Sequence, residues 1–107
     1  MAISQTGEAL ARTLADGEPG TYLVGEFLGL REQRERTVGD QTYRNADVRL
    51  LMGSAVLSVQ FDSMEEAQAA VAGAADRDVI AVRAINRFGV KDGKAWQFWA
   101  GPRRQAA

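Results

Sequence analysis

Residues 79–104 read VIAVRAINRFGVKDGKAWQFWAGPRR, and this stretch decides the fold that we predict for the chain. Val79 to Phe88 is rich in β-branched residues and Ala95 to Trp99 is rich in aromatic residues, as β-strands prefer. Between them, Asp92-Gly93 supplies the positive φ angles that a two-residue hairpin turn needs. We therefore predict a β-hairpin that turns at residues 91–94.

The predicted hairpin combines positive charge with flat rings. It holds six cations against one acid, together with both tryptophans of the chain. Cations interleaved with aromatic rings on a twisted hairpin suit a flexible polyanion that carries bases. The six cations are Arg83, Arg87, Lys91, Lys94, Arg103 and Arg104.

Composition excludes several classes of protein. With 107 residues, 46% hydrophobic and 25% charged, the chain is predicted to form one globular domain. It has no histidine, the usual general base and metal ligand, and no cysteine, so we expect no enzyme, cofactor or metal site. No signal-peptide pattern or run of eighteen apolar residues is found, so we expect a cytoplasmic protein without a membrane partner.

The net charge of −1 is segregated along the chain. Residues 1–30 carry one Arg and four acids (−3), and residues 31–50 carry five Arg and four acids (+1). Residues 51–78 carry one Arg and five acids (−4), whereas residues 79–107 carry six cations and one acid (+5). The local field rather than the total charge steers a polyanion. The alternative is that the charges simply follow solvated loops.

The first half of the chain predicts a helix followed by a bent strand. Residues 3–17 fit a short helix that covers an edge or end of the sheet, and residues 17–20 fit a turn. Thr21 to Arg36 reads as a long strand, in which Gly25 and Gly29 mark a bulge or bend. Its end is a protruding, arginine-rich ribbon that turns back at Gly39-Asp40 through two or slightly more residues.

Two further strands and a helix are predicted before the hairpin. Thr42 to Met52 alternates between an inner face (Ala46, Val48, Leu50, Met52) and an outer face (Tyr43, Asn45, Asp47, Arg49). Ala55 to Phe61 is the third strand, with Ala55, Leu57, Val59 and Phe61 inside. A capping box at Ser63 and Glu66 opens a helix of about 12 residues. Asp76 and Asp78 end that helix rather than bind a metal, since no third ligand accompanies them.

This order predicts an all-β domain with helices, namely a five-stranded OB-fold barrel with one helix between strands 3 and 4. The first-to-second and fourth-to-fifth loops flank the usual ligand face of that fold, and here they carry the cations. An α+β sandwich with an open meander would give a similar order. Within the single domain 1–107, residues 1–18 are the extra N-terminal helix and turn, and residues 101–107 are a flexible basic tail.

Eleven residues are candidates for contact with nucleic acid. The cations bind phosphates, or those of the ribbon instead pair with Glu32, Glu35, Asp40 and Asp47 in surface ion pairs of little energetic value. The aromatic rings stack on bases, although Tyr43 could pack across strands and Phe88 could make a dimer contact. We expect Trp99 to be exposed, and Trp96 and Phe98 to be in the core. The candidates are Arg34, Arg36, Tyr43, Arg44, Arg49, Arg83, Arg87, Phe88, Lys91, Lys94 and Trp99.

Two stretches resemble the single-stranded DNA-binding, helix-destabilising proteins of filamentous phages. The first is the ribbon RERTVGDQTYR at residues 34–44, which leads to a strand that ends in Leu-Met-Gly and then to AVLSVQFD. The second is VIAVRAINRFGVKDGKAWQFW at residues 79–99. The likeness runs from about Arg34 to Gly101. Both the leading helix and the helix between strands 3 and 4 depart from those phage proteins.

The resemblance implies a function and partners. Arg34 and Arg36 would hold phosphates and Tyr43 would stack on a base, while the hairpin from Phe88 to Lys94 would help to form a two-fold dimer and part of the DNA groove. The chain would then be a sequence-tolerant protein that coats or protects single-stranded DNA, or RNA, as a homodimer. The chain also resembles cellular OB-fold single-strand binders, but its basic end favours a phage- or plasmid-type protein. The alternative function is an OB-like protein-interaction or assembly module, which the net charge favours.

Overall fold

Eight strands and one helix make up the part of the chain that the computed structural model describes, residues 20–102. The predicted N-terminal helix lies outside these residues, as do Arg103 and Arg104 of the predicted tail. Among the described residues, no helix has the length and apolar character that crossing a membrane requires. In chain order the elements are β1 (Tyr22–Glu32), β2 (Arg36–Val38), β3 (Gln41–Tyr43), β4 (Ala46–Met52), β5 (Ala55–Phe61), α1 (Met64–Ala70), β6 (Val79–Arg83), β7 (Ile85–Lys91) and β8 (Lys94–Ala100).

Six strands form one sheet, in the order β6-β1-β4-β5-β8-β7, and β2 and β3 form a separate ribbon. Neighbouring strands are antiparallel except β5 and β8, which are parallel. The prediction of a mostly β domain with a helix between the third and fourth long strands is confirmed. Eight strands are observed where five are predicted, and the sheet does not close on itself, because its edge strands β6 and β7 are not paired with each other.

The predicted fourth strand is divided at Ala84. The N–H of this buried residue donates to the carbonyl oxygen of Thr21 at 2.9 Å, which completes the contact with the start of β1. After Ala84 the chain leaves β1 and pairs with β8 instead. One continuous run of β-forming residues therefore supplies both edges of the sheet, β6 and β7.

The bend that the glycines of β1 predict is present. The pairing of β1 with β4 shifts register between Phe27 and Gly29, and Gly29 has φ of +111°. Gly25 has a different role, because a Cβ atom there would lie 2.6 Å from the backbone oxygen of Leu51. Gly25 therefore permits close approach of β4, whereas Gly29 permits the bulge.

The core lies on the inner face of the sheet and under α1. Ala46, Val48 and Leu50 of β4 are fully buried, as their alternation predicts. Other core members come from β1, β5, β6 and α1: Leu23, Phe27, Val59, Phe61, Ala67 and Val82. The predicted burial of Ala55 is wrong, because this residue lies exposed beside the β4–β5 turn.

The helix is shorter than predicted. Ser63 caps it as expected, since its Oγ accepts a hydrogen bond from the Glu66 N–H at 3.2 Å. It ends at Ala70, because the chain then turns through Gly73, which has φ of +81°. Asp78 Oδ2 accepts from the Ala75 N–H at 2.7 Å, so this acid stabilises the turn after the helix.

The outer face of β4 is less exposed than its alternation predicts. Asn45 and Asp47 are buried, although both were placed on the solvent side. Asp47 is covered by Arg31, near the end of β1, and by Gln33, which follows β1. Gly101, which was predicted to begin the flexible tail, is buried, and its N–H donates to the Gln60 oxygen at 2.8 Å.

Candidate nucleic-acid interface

The β7–β8 hairpin is built as its sequence predicts. Asp92 and Gly93 have φ angles of 53° and 75°, as a type I′ turn requires. The turn sets which residues of β7 and β8 are paired, and paired residues of antiparallel strands lie on the same face of the sheet. One face of the hairpin therefore carries Lys91 with Lys94, Gly89 with Trp96, Arg87 with Phe98, and Ile85 with Ala100.

Two aromatic rings lie side by side on this face. The rings of Trp96 and Phe98 are stacked, with centroids 5.9 Å apart and planes inclined by 27°. Trp96 lies across Gly89, where an added Cβ would be 2.6 Å from the indole ring. Trp96 is 44% exposed and Phe98 is 36% exposed. They form a solvent-facing platform.

The predicted exposure of the aromatic residues is thus reversed. Trp99 is partly buried and packs against the core, whereas Trp96 and Phe98 face solvent. The cause is the pairing of β8 with β5, which sets Trp99 beside the buried Val59 and turns its neighbours outward. Because the turn fixes which residues oppose each other, counting outward from Asp92-Gly93 would have placed Phe98 with Arg87.

The tip of the hairpin concentrates positive charge. Lys91 and Lys94 are exposed and directly opposite each other on the face that carries Trp96. Like charges in this arrangement destabilise a strand pair. Within residues 20–102, no acid lies within ion-pair distance of either lysine. With Asp92 in the turn between the two lysines, the tip carries a net charge of +1 that is open to solvent.

The second half of the interface is the arm, which we define as residues 34–44 and which contains β2 and β3. Its two-residue turn begins at Gly39, with φ of 63°. Arg36 is directly opposite Tyr43, and its Cζ lies 5.8 Å from the centroid of the tyrosine ring, within cation–π distance. The Tyr43 hydroxyl donates to the side-chain oxygen of Gln41. Tyr43 remains exposed.

Arm and hairpin meet in one cleft, which we call the Arg36–Arg87 cleft. Arg36 of the arm lines it together with Arg87 and Phe98 of the hairpin. Its volume is about 90 Å³, so it is a small cleft that suits a phosphate group better than a whole nucleoside. The remaining lining residues are Gln60, Asp62, Ala100 and Gly101. Sequence analysis missed Gln60 and Asp62, because no local pattern relates β5 to the arm.

Of the eleven predicted residues, Arg36 and Arg87 line this cleft, and three of the others lie on a different face or strand. Phe88 is on the opposite face of the hairpin, because it is paired with Gln97 and alternates with Arg87. Arg83 is on β6, opposite Tyr22, with its guanidinium packed near Gly20. Trp99 packs on the core, as described above.

The remaining predicted arginines differ in their pairing. Arg44 forms ion pairs with Glu32 at 3.3 Å and with Glu35 at 2.8 Å, so the alternative of local pairing holds for it. Arg34 is exposed on the arm, and no ion pair joins it to the described acids. Arg49 is half-buried on the outer face of β4, opposite Ser58 of β5.

A second groove lies between β1, β6 and the β4–β5 turn. Its volume is about 340 Å³, and its lining is mostly apolar, with Val24, Leu51, Met52 and Val79. The charged residue that lines it is the acid Glu26, which pairs with Arg77 at 2.8 Å. This chemistry does not suit a polyanion. In the part of the chain described, no three acids, histidines or cysteines are grouped as metal ligands.

No model of a known protein family matches the chain, and searches of curated proteins and of solved structures also find no match. The resemblance to phage single-stranded DNA-binding proteins therefore stays a prediction from residues. What the chain does is argued from the geometry of the interface itself.

Proposed function

We propose that the protein binds single-stranded DNA in a sequence-tolerant manner and has no catalytic activity. One observation carries this proposal, namely that Arg36 of the arm and Arg87 of the hairpin line the same cleft, beside the ring of Phe98. Two cations from different elements fit the phosphate backbone, and the adjacent stacked rings of Trp96 and Phe98 fit unpaired bases. The exposed lysines at the hairpin tip extend the positive surface along the same face.

The strand pairing supports an OB-fold as the frame of this interface. The parallel pairing of β5 with β8 and the pairing of β6 with β1 follow the order that a five-stranded Greek-key barrel needs, if β6 and β7 are counted as one strand. We propose that the domain is a partly open barrel of this class, because only Ala84 separates the two edge strands. The arm and the hairpin turn then correspond to the two loops that flank the ligand face.

Fluorescence titration tests the proposed function directly. A poly-dT oligonucleotide should quench Trp96, and log K should fall with log salt by about 0.7 for each phosphate neutralised. With three to five phosphates held, the affinity is expected to fall about 20- to 130-fold between about 50 and 200 mM salt. Absence of quenching and of any shift of a labelled strand at the lower salt concentration would exclude the proposal.

Asp62 provides a matched test of electrostatics, because it is an exposed acid that lines the Arg36–Arg87 cleft. No ion pair joins it to the described cations. Replacing it with asparagine removes one negative charge near the expected phosphate path, so we expect poly-dT affinity to rise about threefold. The control is Glu65→Gln on α1, which changes the same charge outside the cleft. An equal rise for both variants would contradict a local effect.

We further propose that the protein is a homodimer that uses the opposite face of the hairpin. Phe88 is 73% exposed and Val90 is 74% exposed, and both lie on the face away from the cleft. β7 is an edge strand, so its outer backbone groups are open to pairing with a second strand. A second copy placed here would leave the phosphate-binding face free.

The dimer is tested by Val90→Glu, which places a charge on this apolar face. Light scattering should give the mass of a dimer for the wild type and of a monomer for the variant, with the fold retained by circular dichroism. A monomeric wild type at high concentration would contradict the dimer.

The same face also favours the alternative function, a protein-interaction module, which gains support if the wild type is a dimer but binds no strand.

A further inference from the structure

A buried carboxylate lies where the arm leaves the sheet. Asp47 of β4 is 1% exposed, and each of its oxygens accepts a hydrogen bond from the segment that leads into the arm. Arg31 Nη2 lies 2.9 Å from Oδ2, and Gln33 Nε2 lies 2.7 Å from Oδ1. The Gln33 N–H also donates to the Asn45 carbonyl oxygen at 2.8 Å. These bonds close the base of the arm.

Asp47, Arg31 and Gln33, which we call the anchor of the arm, lie close to the cleft. Asp47 is directly opposite Gln60, and Gln60 lines the Arg36–Arg87 cleft. The arm strands β2 and β3 pair with each other and with no strand of the six-stranded sheet. Ladder hydrogen bonds therefore do not set the direction in which the arm lies over the outer face. The contacts at its base must do so.

The chemistry of the anchor suits positioning more than stability. A buried charge pays a large desolvation penalty, and an apolar side chain of similar size is often as stabilising. A carboxylate with two occupied oxygens, in contrast, holds two donors in one geometry. The exposed ion pairs of Arg44 at the same base restrict the arm less, because solvent screens them.

We propose that Asp47 is the positioning residue of the arm, which holds Arg31 and Gln33 so that Arg36 faces Arg87 across the cleft. Asp47 is itself too buried to contact a ligand. The consequence for DNA binding rests on the proposed function, whereas the position of the arm can be measured without nucleic acid.

The test measures the arm directly. The chain has no cysteine, so Val38→Cys on the arm and Gln68→Cys on α1, both exposed, take spin labels at defined positions. Pulsed electron-spin distance measurements, with labelled protein diluted in unlabelled protein, should give one narrow distribution. In Asp47→Asn the new NH₂ group cannot accept a hydrogen bond, so the distribution should broaden or shift. Arg44→Ala is the control and should leave it narrow.

The direction in which Asp47→Asn changes the affinity for poly-dT is a second test. If Asp47 acted only through its charge, Asp47→Asn would bind poly-dT more tightly, as expected for Asp62→Asn. A positioning role predicts the opposite, a loss of about tenfold, which corresponds to about 1.4 kcal/mol. A folded Asp47→Asn with an unchanged distance distribution overturns the proposal, and so does tighter binding.

A second variant covers the case in which Asp47→Asn does not fold. Gln33→Ala removes one donor and leaves the buried carboxylate paired with Arg31. The distance distribution of this variant should also broaden, and an unchanged distribution would overturn the proposal. If the wild type binds no strand, the proposed function fails, while the distances still decide the role of Asp47.

Discussion

Replacing Arg36 and Arg87 together with alanine is expected to weaken poly-dT binding by about 100-fold. Each cation offers charge-assisted hydrogen bonds to a phosphate, and the lower end of their range, about 1.5 kcal/mol each, gives this loss for two. The slope of log K against log salt should also become shallower by about 1.4, since two fewer phosphates are neutralised. Salt-dependent titrations of the double variant and of both single variants provide the measurement.

Two controls make the Arg36 and Arg87 result specific. Arg44→Ala removes an arginine of the same arm that is already paired with Glu32 and Glu35, so its affinity should change by less than about threefold. As a second control, each single variant should lose about tenfold in affinity, so that the two single losses together account for the loss of the double variant. A loss in Arg44→Ala as large as in Arg87→Ala would contradict the assignment of the cleft.

The second large effect is expected from the aromatic platform. Trp96→Ala and Phe98→Ala should each weaken poly-dT binding by about 1–3 kcal/mol, the value of one stacked base. The salt slope should stay constant, since no phosphate contact is lost. Equilibrium titration with a fluorescently labelled strand measures this, because the Trp96 variant loses the intrinsic reporter.

Phe88→Ala is the matched control for Phe98→Ala. Both are phenylalanines of the same hairpin, but Phe88 lies on the opposite face. Its replacement should leave the affinity of one protomer unchanged, measured at a concentration where the oligomeric state is constant. If Phe88→Ala reduced affinity as much as Phe98→Ala, the bases would stack on the other face, and the assignment of faces would be wrong.

Sequence reasoning succeeded where the signal is local. The Asp92-Gly93 turn, the Ser63 cap, the bulge at Gly29 and the alternation of the β4 inner face each follow from a few adjacent residues. A backbone that needs positive φ, a side-chain oxygen that caps a helix and a two-residue period all have near-neighbour causes. These signals were sufficient to predict a mostly β domain with one internal helix.

The errors have non-local causes. Trp99 is turned inward by its parallel partner Val59, which lies 40 positions earlier in the chain. Asp47 is buried because Arg31 and Gln33, which lead into the arm, lie over it, and alternation along β4 contains no sign of that cover. The early end of the helix is the exception, because its cause is local: the chain reverses at Gly73, three residues after Ala70. Pairing between distant strands, rather than local propensity, therefore determined which candidate site residues meet.

The most direct test of the account uses the two indole N–H signals of the protein in a nuclear magnetic resonance titration with poly-dT. The Trp96 indole and the amides of the arm around Arg36 and Tyr43 should shift together and saturate at one strand concentration. The Trp99 indole, which packs against the core, should move little. The account would be contradicted if poly-dT shifted the amide signals of Val24 and Val79 in the second groove but left the signals of Trp96 and the arm unchanged.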